Sequence, residues 1–119
     1  MPGSGIGAMA EATRTSFDFA VKAEKKDTTE NVQKTYDGDS ASANVTTYKN
    51  TTNKSYLRLR VLRGKTAVTN YQNVNAVTKY RLKYKADKSV MTGQSFKLRG
   101  YVAEGVTKGT GTMKGVFQP

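Results

Sequence analysis

At 119 residues the chain fits one domain. It has no cysteine, histidine or tryptophan, which excludes disulfide frameworks, thiolate or imidazole zinc sites, Ser-His-Asp triads and Cys-His pairs. Nine carboxylates against twenty Lys and Arg, a formal net charge of +11, leave an enzyme the minority reading, with no catalytic residue, cofactor or metal expected, and favour anionic partners.

The first ten residues, Met-Pro-Gly-Ser-Gly-Ile-Gly-Ala-Met-Ala, are small and nearly uncharged. Gly-Ala-Met-Ala reads as a cloning remnant, so residues 1–14 are expected to be a flexible segment outside a single β domain of residues 15–119. No run approaches the roughly 20 apolar residues of a membrane span.

From Thr15 to Ala23 the sequence alternates, with Phe17, Phe19 and Val21 on one face, and a first strand is expected there. Glu24–Asn31 reads as a solvated loop. Val32–Tyr36 reads as a short strand closed by the turn signal Asp37-Gly-Asp39-Ser40. Ala41, Ala43, Val45 and Thr47 continue an alternating strand to Tyr48. Lys49–Lys54 is a loop by composition.

Ser55–Arg63 carries the clearest pattern. Leu57, Leu59 and Val61 face one way, and Arg58 and Arg60 the other. Ala67–Tyr71 reads as a strand and Gln72–Asn75 as a turn. Two further basic strands follow. In Lys79–Lys85 the apolar Tyr80, Leu82 and Tyr84 alternate with Lys79, Arg81, Lys83 and Lys85; in Ser95–Tyr101, Phe96 and Leu98 alternate with Lys97 and Arg99. Thr110–Phe117 is a glycine-rich final strand. Seven or eight short strands with frequent turn signals predict an all-β, antiparallel β-sandwich, Ig-like or Greek-key-like, with a barrel as second choice. Phe17, Phe19, Leu57, Leu59, Val61, Leu82, Phe96 and Leu98 are the expected core.

Charge is uneven along the chain. Residues 1–53 carry a net −1 and residues 54–119 a net +12, against only Asp87 and Glu104. If the three basic strands are neighbours, Arg58, Arg60, Arg81, Lys83, Lys97 and Arg99 form one cationic sheet face. Arg suits bidentate contact with phosphate or carboxylate. Tyr56 and Tyr101 share the parity of these bases and are placed to stack on sugars or nucleobases. The competing reading is a solvated outer face with long side chains shielding the sheet.

Other motifs are weaker. Asp37-Gly-Asp39 with Ser40 supplies oxygens of the kind calcium takes, but the combination is the ordinary chemistry of a turn. Asn44, Asn50 and Asn53 begin glycosylation-type triplets, which chance explains in a Thr- and Asn-rich chain. Gly109–Gly115 has neither the following helix nor the glycine spacing of a phosphate-binding loop, and reads as a glycine-rich edge strand or bulge, open to pairing with another copy.

Lys97-Leu-Arg99-Gly100, followed by Gly109-Thr-Gly111-Thr-Met-Lys-Gly-Val116-Phe-Gln-Pro119, resembles the C-terminal stretch of a group of small secreted β-sandwich proteins of Gram-positive bacteria. The resemblance covers the last quarter of the chain. It implies a secreted or cell-surface location and a bacterial source, and no particular reaction. The expected function is therefore non-enzymatic binding of an anionic envelope or extracellular polymer, a wall polymer or acidic polysaccharide. A nucleic-acid-binding β module and a self-assembling surface protein are the alternatives.

Overall fold

The structure, a computed structural model, describes residues 13–119. The expected N-terminal segment thus lies outside the described residues except for Thr13 and Arg14. Among the described residues ten strands run in chain order: β1 (Thr15–Lys22), β2 (Asp27–Thr28), β3 (Val32–Gln33), β4 (Ser40–Asn50), β5 (Leu57–Arg63), β6 (Thr66–Ala67), β7 (Gln72–Val74), β8 (Lys79–Lys83), β9 (Ser95–Val102) and β10 (Thr110–Gln118). All pairings are antiparallel.

One sheet has the order β1-β10-β4-β8. In the other, β9 and β5 are central, with β2 and β3 on the outer side of β9 and β6 and β7 on the outer side of β5. The sheets stay separate, which makes a sandwich and not a closed barrel. Period-2 alternation places the expected core inside: Phe17, Phe19, Leu57, Leu59, Val61, Leu82, Phe96 and Leu98 are all buried in one cluster with Met113 and Phe117. Each such side chain contributes roughly 1.5–3 kcal/mol by leaving water.

Several expectations about elements are corrected. Gln72–Asn75 is not simply a turn, because Gln72 and Asn73 pair with Leu59 and Arg58. Ala67–Tyr71 is not a continuous strand. The Thr69 hydroxyl, not a backbone carbonyl, accepts the Val61 N–H at 3.0 Å, and the ladder breaks there. The Glu24–Asn31 loop contains β2, which pairs Thr28 with Arg99.

The glycine-rich segment is not an edge. It forms β10, held between β1 and β4, with its register shifted between Lys114 and Gly115. Two of its glycines answer close approach: a Cβ at Gly111 would run into the Leu57 side chain, and one at Gly115 into the Asn44 carbonyl.

Candidate anion-binding face

Neighbouring strands β5 and β9 put their basic residues on the outer face of one sheet. The register sets Arg60 directly opposite Arg99, and Arg58 opposite Tyr101. Like charges directly opposed across strands are destabilising. Lys97 lies on the same face, opposite Leu62. Arg58, Arg60, Lys97 and Arg99 are half-buried, unlike the side chains of a freely solvated face.

Each of the three arginines is anchored by one nitrogen. Arg58 Nε donates to the Val102 carbonyl at 2.9 Å. Arg60 Nη2 donates to the Tyr101 hydroxyl at 3.0 Å, and Arg99 Nε donates to Thr28 Oγ1 at 2.9 Å. Tyr71 packs over the pair, with the Arg58 and Arg60 guanidinium carbons each 4.1 Å from its ring centre. Tyr71 also meets Tyr101 edge-on at 5.1 Å. Cation–π contacts of this kind contribute about 0.5–2 kcal/mol and hold the guanidinium groups in place.

The acceptors are all neutral. Among the described residues the ion pairs are Lys25–Asp27, Arg81–Asp39 and Lys114–Asp18, so no carboxylate pairs with Arg58, Arg60, Lys97 or Arg99. A guanidinium has five N–H donors. Most of those on this face remain unclaimed, and Arg60 Nε is buried without a partner. The arrangement can hold anionic oxygen atoms.

The three-strand basic face expected from the sequence is not formed. Arg81 and Lys83 lie on β8, which pairs with β4 at the edge of the other sheet. Both are exposed, and Arg81 sits 4.0 Å from Asp39. Tyr56 is part-buried and packs against the core. Tyr101 has the expected outward register but is only 9% exposed, because Tyr71 and the arginines cover it. Its ring is not an open plate for stacking.

Sequence reasoning missed Tyr71, Thr28 and the lysines of the β1–β2 turn. Tyr71 closes the stretch expected as a strand, Ala67–Tyr71, but alternation does not reveal which neighbours it reaches. Lys22, Glu24, Lys25 and Lys26 line a groove of about 270 Å³ with Arg58 and Tyr101, at the Leu57 end of β5 and the Val102 end of β9.

A second polar feature lies elsewhere. Lys34 is 2% exposed; its Nζ donates to the Tyr36 carbonyl and sits 5.3 Å from the Tyr84 ring centre. Burial lowers the Lys34 pKa, and the charges of Asp37 and Asp39 pull it part of the way back. Burial also raises the Tyr84 pKa, and its hydroxyl has no partner. Asp37-Gly-Asp39 is a bend leading into β4, where Ser40 Oγ donates to Asp39 Oδ1 at 3.0 Å. Asn50 is committed to its own loop, accepting from Thr52 N–H at 2.9 Å and donating to the Lys54 carbonyl.

Comparison of the chain with protein-family models, curated proteins and solved structures gives no match.

Proposed function

We propose that the protein is a non-enzymatic binding module, secreted or displayed at a bacterial surface, whose β5–β9 outer face holds an anionic envelope or extracellular polymer. The observation that carries this reading is uncompensated charge on an ordered face. Arg58, Arg60 and Arg99 are fixed by neutral acceptors and tyrosines, two of them directly opposed across strands, with no carboxylate partner among the described residues. An anionic ligand removes the repulsion between Arg60 and Arg99. The secreted location rests on the resemblance of the C-terminal stretch.

Recognition here is of charge and geometry, not of bases. Tyr101 is covered and Tyr56 faces the core, so the face presents guanidinium edges and one half-open tyrosine. Binding is then expected to fall steeply with salt, through counterion release.

Calorimetric titration with a poly(glycerol phosphate) chain at 50 and 200 mM NaCl tests this. Arg99→Glu is expected to weaken binding by about tenfold or more at the lower salt, and Arg81→Glu by less than about twofold. Equal losses from both variants would reduce the effect to net charge. Tighter, base-dependent binding of single-stranded DNA would replace this reading with the nucleic-acid one.

A further inference from the structure

We infer that the groove between the β1–β2 turn and the adjoining ends of β5 and β9 is a distinct site for one phosphorylated polyol or sugar unit; the inference rests on the polymer reading above and names the polymer's repeat. The groove's wall is preformed. Lys22 N–H donates to the Lys25 carbonyl at 3.0 Å and Lys25 N–H to the Lys22 carbonyl at 2.9 Å, which closes the turn upon itself. Tyr101 and Val102 of β9 complete its lining. At about 270 Å³ it falls just below the size of pockets that take drug-sized ligands, and so fits a single unit, not a long segment.

The charges in the groove are not equivalent. Lys25 is occupied: its Nζ donates to the Ala20 carbonyl at 3.0 Å and lies 3.8 Å from Asp27. Lys22, Lys26 and Arg58 have no ion-pair partner among the described residues, and Arg58 is fixed by Val102 and Tyr71. These three cations specify an anionic group. Glu24 lines the same groove, also without an ion-pair partner among the described residues. A carboxylate there opposes a bare anion, yet it accepts hydrogen bonds from hydroxyl groups. Cations, one carboxylate acceptor and the Tyr101 and Val102 side of the lining together select an anion carried on a short hydroxylated carbon skeleton. Because Arg58 belongs to both the groove and the outer face, a polymer lying along β5 and β9 runs into the groove without a break.

The test is an NMR titration of the ¹⁵N-labelled full chain with glycerol 3-phosphate, inorganic phosphate and glycerol, alongside the poly(glycerol phosphate) chain. Glycerol 3-phosphate is expected to shift the amides of residues 22–26, Tyr101 and Val102. It should bind about fivefold more tightly than inorganic phosphate, the worth of one hydrogen bond. Glu24→Ala should erase that preference, and Lys22→Ala with Lys26→Ala should remove the shifts in a spectrum that otherwise stays folded. Equal affinity for both phosphates, or glycerol phosphate shifts away from the turn, would overturn the inference. Polymer shifts at Arg60 and Arg99 with silence at residues 22–26 would overturn the groove alone. Failure of the polymer to bind anywhere would remove the reading beneath it and the inference together.

Discussion

Lys34 and Tyr84 face one another within the fold, and burial moves their proton equilibria in opposite directions. Lys34 is held below its ordinary value of 10.5. The unfolded chain therefore keeps that proton where the folded chain loses it, so this contribution to stability grows as pH rises toward 10.5 and is lost as pH falls through the folded value. Tyr84 is held above its ordinary value of 10.0. Its contribution is complete below pH 10.0 and is lost as pH climbs beyond, because only the unfolded phenol ionises. Urea unfolding at pH 7, 9, 10 and 11 should show Tyr84→Phe losing less stability above pH 10 than the parent. At pH 7 the same variant should be unchanged or up to about 1 kcal/mol more stable, since it deletes an unpaired buried hydroxyl. A loss of more than about 1 kcal/mol at pH 7 would mean that the hydroxyl has a partner in solution. Lys34→Met should flatten the rise just below pH 10.5.

At the level of elements, β10 shows how closely the two sheets approach. Gly111 faces Leu57 across the sandwich, and Gly100 of β9 meets Phe19, whose Cδ2 would lie 2.6 Å from an added Cβ. Gly111→Val should destabilise by about 1–3 kcal/mol through overpacking. Thr112→Val, one residue along and on the outer side, should stay within about 0.5 kcal/mol; equal effects at the two positions would refute the close approach. This alternation was legible in the sequence. Phe17, Leu57, Leu82 and Leu98 were assigned to the core from spacing alone, because a strand's side-chain period is local. Strand order was not legible. Arg58, Arg81 and Lys97 share one pattern, and only long-range pairing decides that β9 joins β5 while β8 joins β4. For the same reason, two of the six residues of the expected basic face, Arg81 and Lys83, lie in the other sheet. Tyr71 closes the stretch expected as a strand, but its contacts with Arg58 and Arg60 are long-range and alternation does not reveal them.

Over the whole molecule, the three basic strands of residues 54–119 are divided between the two sheets. The β8 side carries exposed Arg81 and Lys83, with a surface pair to Asp39 worth little. The β5–β9 side carries half-buried arginines locked by tyrosines and by neutral acceptors. The self-assembly alternative loses its best strand, because β10 is central. Edge strand β1 is also closed over its C-terminal half: the Ala20 N–H donates to Asp27 Oδ2 at 3.0 Å, and the Ala20 carbonyl accepts from Lys25 Nζ at 3.0 Å. Such protection blunts pairing with another copy. The most direct test of the polyanion account is an NMR titration that follows the arginine Nε–Hε signals as poly(glycerol phosphate) is added at physiological salt. Saturable shifts at Arg58, Arg60 and Arg99 are expected, with Arg81 nearly unmoved. Uniform drift of all four signals, or shifts confined to Arg81, would contradict it.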